Sequence, residues 1–257
     1  MKRGFSLVEL SIVLVILGLL VGGILAGQSL IRASELRSVT SELARWQTAT
    51  MAFRDKYFAL PGDMTNAQAF WGVANATPSV CATTAATGTA TCNGDGNGMV
   101  EVSPPSGVNE SYRFWQHLSN AGLIEGRYSG ITQGSTPWTS TKDNSPAGKI
   151  SNSLWYITYW TSSFASIFDG TYGHSFEYGG ANANSDPITG IMKAEELWNI
   201  DTKLDDGKPA TGKQVVRGSG SNSISQCTDT AVSSNMAASY LLNSSNLGCV
   251  AIFRQQF

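Results

Sequence analysis

Charge is scarce in this chain. Only 14% of its 257 residues are Asp, Glu, Lys or Arg, against roughly 25% in an ordinary soluble domain. The formal net charge is -2, so there is no basic footprint for nucleic acid and no acidic tail. Histidine is scarcer still: His117 and His174 are the only two. The four cysteines, Cys81, Cys92, Cys227 and Cys249, form no CxxC pair, which argues against a zinc site. No GxSxG, HExxH or Walker-type stretch occurs. Both histidines stand among aromatic or glycine neighbours and read as structural, so no catalytic residue is assigned and the chain is read as a non-enzyme. Proline is absent before Pro61, which leaves a long stretch free to be helical.

What the chain does have is one long apolar run, GFSLVELSIVLVILGLLVGGILAG, at residues 4 to 27. From Phe5 to Ala26 it carries a single charge, Glu9. At 1.5 Å per residue this segment makes a helix of about 33 Å, enough to cross a hydrocarbon core of about 30 Å. Lys2 and Arg3 precede it, which keeps the N-terminus in the cytoplasm. A cleaved secretory signal requires small residues before its cut. Here Ile24-Leu25-Ala26 and Leu25-Ala26-Gly27 each put a bulky residue in that place, and Gln28 stands where an acylated cysteine would be needed. A plain membrane anchor accounts for the length and leaves Glu9 unexplained. An acid at the centre of a membrane helix costs about 2.5–3.5 kcal/mol, less near the interface, and asks for a partner.

The residues Gly4-Phe5-Ser6-Leu7-Val8-Glu9-Leu10 closely resemble the prepilin cleavage and methylation motif of type IV pilins and type II secretion pseudopilins. The resemblance covers about the first tenth of the chain. It implies a leader at 1–4, a cut by prepilin peptidase between Gly4 and Phe5, and N-methylation of the new Phe5 amine. It further implies that Glu9 meets the N-terminal ammonium of a neighbouring subunit during assembly. Elementary electrostatics agrees with such a role. A free α-amine has a pKa near 7.7–8.0 and is mostly charged at neutral pH, and opposite charges attract far more strongly at low dielectric than in water.

The implied partners are other pilin or pseudopilin subunits, the peptidase, an inner-membrane assembly platform and the membrane, with no nucleic acid. The implied location is the inner membrane, single-pass with the head in the periplasm, and then a filament or the cell surface. Pilus and secretion pseudopilus remain open, as do major and minor subunit. A minor pilin with an adhesin or binding head and a simple membrane-anchored periplasmic protein are the alternatives.

Beyond the apolar run, Leu36, Val39, Leu43, Trp46, Thr50, Phe53 and Tyr57 recur in steps of three and four, one stripe of a helix. The reading is a continuous helix from Ser6 to Tyr57, with 5–27 in the membrane or filament core and 28–58 as its amphipathic continuation. The stripe suits either a two-stranded coiled coil or, as Trp46 and Phe53 favour, packing onto the chain's own head at 59–257. Gly18/Gly22 and Gly23/Gly27 form two GxxxG pairs, read as close helix packing, local softening or ordinary membrane-helix composition.

Leu60-Pro61-Gly62-Asp63 reads as a turn, 73 to 111 as a long loop region, and Arg113 to Ile124 as a helix. LWYITYW, Leu154 to Trp160, reads as a strand, with a sugar-stacking platform as the less economical alternative. Ile188 to Thr202 has helical spacing, and Gln214–Arg217 and Cys249–Arg254 read as short strands. The fold class is therefore α+β: a long N-terminal helix on a mixed pilin-like head with a small antiparallel sheet.

In an oxidising compartment the cysteines form disulfides. Of the three possible connectivities, Cys81–Cys92 with Cys227–Cys249 closes the shortest loops. Two stretches offer hard oxygen donors that suit calcium. In the first, Asn93, Asp95 and Asn97 precede Gly98 as in the front half of an EF-hand loop, but Pro104 stands at the usual position of the bidentate acid and Glu101 must substitute. The second is the turn at Asp205 and Asp206; major pseudopilins of type II secretion resemble it in having an acidic calcium loop late in the head. A backbone-capping turn accounts for the first without a metal, and a salt-bridged surface turn for the second.

Overall fold

The computed structural model describes residues 6–81, 83–85, 87–102, 107–132, 136–160, 166–220, 223–255 and 257. One helix, α1 (Leu7–Tyr57), dominates it. Ser6 caps its start, and it stops where Phe58 turns left-handed at φ 54°, with the Phe58 N–H still bonded to the Arg54 carbonyl at 2.8 Å. Among the described residues the head adds four shorter α-helices: α2 (Ala67–Trp71), α3 (Pro78–Cys81), α4 (Glu110–Asn120) and α5 (Ala194–Leu204). Its five strands are β1 (Ser153–Trp160), β2 (Gly173–Asn182), β3 (Ser185–Thr189), β4 (Gln214–Gly218) and β5 (Cys249–Arg254).

The sheet is antiparallel in the order β1-β2-β5-β4, with β3 pairing the end of β2. The outer half of α1 lies across this sheet. Val39, Leu43, Trp46, Thr50 and Phe53 of the helical stripe are all buried, and Leu36 and Tyr57 pack at its ends. Facing them are Trp155, Ile157, Phe176, Tyr178, Ala251 and Phe253. Trp46 makes edge-on contacts with Trp115 at 5.4 Å and Trp155 at 6.4 Å, the geometry that aromatic quadrupoles favour. Glu42 takes a hydrogen bond from Trp155 Nε1 at 2.7 Å, so the helix is also pinned to β1 by a polar contact. Trp155 and Tyr156 are fully buried; LWYITYW is a core strand rather than an open aromatic platform.

Two elements depart most from the sequence reading. Ile188 belongs to β3, and the helix read over 188–202 starts only at Ala194. Between them Ile191 and Met192 exchange backbone hydrogen bonds with Cys249, which holds this stretch extended although its apolar spacing matches a helix. The other is β2, whose sequence GHSFEYGGAN has no clean strand pattern. Its Gly179 is needed because β3 crosses so close that a Cβ there would collide with the Pro187 carbonyl. Helix α4 starts at Glu110 instead of Arg113 because Asn109 caps it. Disulfides join Cys81 to Cys92 and Cys227 to Cys249.

Candidate functional site

The first site is the inner half of α1. An eighteen-residue window of it has mean hydropathy 2.7, and none of that window is buried. Leu7, Leu19 and Ile24 are 86%, 73% and 59% exposed, which in water would be a large apolar liability. The helix is therefore built for contact with lipid, with other helices, or with both. Around Gly18, Gly22, Gly23 and Gly27 an added Cβ would meet nothing within 4 Å, so within one chain no packing requires these glycines.

Glu9 sits at the front of this rod. Its Oε2 accepts the Ser6 N–H at 2.8 Å, while Ser6 Oγ accepts the Val8 N–H at 3.3 Å. This reciprocal arrangement is a capping box, and Ser6-x-x-Glu9 is its sequence signature, a second role for Glu9 that reasoning from membrane cost overlooked. The acid thus holds the backbone N–H one residue beyond Phe5. Gly4 and Phe5 themselves lie outside the described residues.

The second site is the glycine-rich loop at 93–101. Here one carboxylate oxygen each from Asp63, Asp95 and Glu110 lie within 4.8 Å of one another. Gly62, at φ +85°, lets the turn after α1 press against the start of α4, where a Cβ would strike the Glu110 carbonyl. Asp63 accepts N–H groups of Asn97 and Gly98 at 3.1 and 3.0 Å. Glu110 accepts those of Asp95 and Glu101 at 3.0 and 3.2 Å. Burial nevertheless pushes the Glu110 carboxyl up to about 8 and that of Asp63 up to about 6.

Of the two acids proposed here from the sequence, Asp95 joins this cluster and Glu101 does not; Asn97 borders it, its Nδ2 donating to Asp95 Oδ2 at 3.3 Å. Asn93 Oδ1 instead accepts the Gln68 N–H at 2.9 Å and caps α2. Glu101 accepts a hydrogen bond from Asn97 Nδ2 at 3.0 Å. Asp63 and Glu110 were missed because they reach the loop only through the tertiary fold.

The third site is the turn after α5, where Asp201 joins Asp205 and Asp206 with one oxygen each within 4.8 Å. Asp201 is fully buried. Its Oδ2 accepts the Tyr240 hydroxyl at 2.8 Å, and its Oδ1 is buried with no hydrogen-bond partner. Burial pushes this carboxyl up to about 7. An orphaned, buried carboxylate oxygen beside two more acids is a donor set that fits a hard cation. The orphaned oxygen is what sets this loop apart from the one at 93–101; Asp205 and Asp206 themselves accept the Lys213 and Lys208 N–H groups, much as the acids of the other loop accept theirs.

The histidines are structural. His117 Nδ1 accepts the Gly62 N–H at 2.9 Å, and burial lowers its pKa to about 3. His174 Nε2 accepts the Val100 N–H at 3.2 Å, and burial lowers its pKa to about 4. Each fixes a loop to the sheet or to α4.

Residues 1–25 match the family described as the prokaryotic N-terminal methylation motif. Comparison with curated proteins and with solved structures gave no match. The chain thus carries, on a long apolar helix joined to an α+β head, the prepilin-type cleavage and methylation motif of type IV pilins and pseudopilins.

Proposed function

We propose that this protein is a structural subunit of a type IV pilus-like or type II secretion pseudopilus filament. The observation that carries the reading is the inner half of α1: a bare apolar rod, capped by Ser6 and Glu9, most of which lies within the methylation motif matched at residues 1–25. Prepilin peptidase cuts between Gly4 and Phe5, Phe5 is N-methylated, and the rod stores the subunit in the inner membrane with the head in the periplasm. On assembly the rods bundle into the filament core, and Glu9 exchanges its Ser6 N–H for the ammonium of a neighbouring Phe5. The exchange favours one register, because an unmatched carboxylate in a low-dielectric core is costly. Mass spectrometry of the mature protein tests the processing: methyl-Phe5 is the expected N-terminus, and a mature chain starting at Met1 or Gln28 rules the reading out.

A binding head on a minor subunit is favoured by one observation. Val232, Met236, Leu241, Leu242 and Leu247 are all exposed on the stretch that the Cys227–Cys249 bond encloses. Abundance in sheared filaments distinguishes a major subunit from this minor one.

Calcium is proposed for the acidic loops, first for Asp201, Asp205 and Asp206 because of the orphaned Asp201 oxygen, and second for Asp63, Asp95 and Glu110. Calorimetric titration with calcium is expected to register binding at both loops, of which Asp201→Asn removes the first and leaves the second. Absence of heat at millimolar calcium would exclude both sites.

A further inference from the structure

Between the free rod and the buried part of α1 stands one polar contact. Arg32 grips Glu196 with two parallel hydrogen bonds, Nε to Oε1 at 2.6 Å and Nη2 to Oε2 at 2.7 Å. Nη2 also donates to the Ile191 carbonyl at 2.8 Å, and Nη1 to Glu35 at 3.1 Å on its own helix. Glu196 is itself fixed, because its Oε2 accepts the Lys193 N–H at the start of α5. Ile191 is tied to Cys249 by its backbone N–H. The guanidinium is therefore held by a rigid corner of the head through the bidentate geometry that Arg favours.

Above this contact the packing is loose. The first fully buried residue of α1 is Val39. Between Arg32 and Val39 the two helices enclose a crevice of about 230 Å³, lined in part by Ala33, Leu36, Asn199 and Ile200. Below it, residues 28–31 of α1 are exposed and an added Cβ at Gly27 would touch nothing. Residues 32–38 of α1 are thus held to the head by the partly buried Leu36 and by the ion pair at their lower end.

We infer that the Arg32–Glu196 contact is a releasable latch that sets where the docked helix ends and the free rod begins. Closed, the rod and the head move as one body. Open, the first firm anchor becomes Val39, the free rod lengthens by about 10 Å at 1.5 Å per residue, and the head swings about that point while its core stays packed. The latch is a property of the single chain, so its test is independent of filament assembly.

Hydrogen exchange on the full-length protein in detergent micelles reads the latch directly. Arg32→Ala and Glu196→Gln are expected to speed exchange of the amides at 29–38 tenfold or more, leaving β2 and β5 as protected as in the unaltered protein. In the Gln variant the single carbonyl oxygen still accepts the Lys193 N–H and Arg32 Nη2, so the variant strips the charge and the Nε contact from the grip and spares the cap. Glu35→Gln breaks only the contact within α1 and is expected to change nothing. Unchanged exchange at 29–38 in Arg32→Ala overturns the proposal. So does loss of protection that spreads through β2 and β5 in both latch variants, because the contact would then belong to the fold itself.

Discussion

At the scale of single residues, the clearest chemistry is that of buried acids. Glu110 and Asp63 hold protons up to about pH 8 and about pH 6 in the folded chain, whereas the unfolded chain releases them near pH 4. The folded state then binds more protons than the unfolded one. The stability these groups contribute is complete below about pH 4 and is lost as the pH rises toward 8. Glu110→Gln removes the titration and keeps one of the two backbone N–H contacts, since each uses a different carboxylate oxygen and an amide nitrogen cannot accept. Its stability is expected to be lower throughout, but its melting temperature to fall less between pH 5 and pH 8 than that of the unaltered protein, measured in chelator. An equal slope in the two proteins would show that Glu110 does not titrate in this window. Glu9 belongs to the same scale. Glu9→Ala is expected to leave processing and membrane insertion intact and to remove the subunit from sheared filaments, which immunoblotting of the membrane and filament fractions checks. The cleavage and methylation signal was legible because its residues are contiguous. The acids around 93–101 were only partly so, since Asp63 and Glu110 are brought to Asp95 by the packing of the α1 turn on α4.

At the scale of elements, α1 is two objects in one helix. Its outer half stabilises the head: truncating the fully buried Phe53 to Ala is expected to cost about 3–5 kcal/mol in urea unfolding. Leu19→Ala in the exposed half is expected to leave head stability unchanged in the same assay. The Cys227–Cys249 bond encloses a 22-residue separation; replacing both cysteines by serine is expected to lower stability by about 3 kcal/mol in the chain-entropy picture.

Elements with strong local periodicity were readable: the α1 stripe from Leu36 to Tyr57, the strand LWYITYW, and the short apolar runs of β4 and β5. The elements that were not readable took their form from neighbours. β2 carries paired glycines to admit β3. The stretch at Ile191 and Met192 has helical spacing, yet its backbone is committed to Cys249.

At the scale of the whole molecule, the exposed rod and the packed head obey different solvents. A chain starting at Gln28 retains every buried residue of α1, since burial begins at Val39. It is expected to stay monomeric in aqueous buffer by light scattering, while the full chain requires detergent or lipid. Recovery of that shortened chain only as aggregates would mean that the rod contributes to the head's fold.

The position of β5 in the sheet adds a constraint of timing. It lies between β2 and β4 and pairs with both, yet its residues are the last of all the strands to leave the ribosome. Until 249–254 are in place, two facing strand edges lie open and the head cannot close. Under the proposed function, a subunit whose N-terminal anchor is already inserted would wait with its head unfinished, its bare strands open to proteases and chaperones.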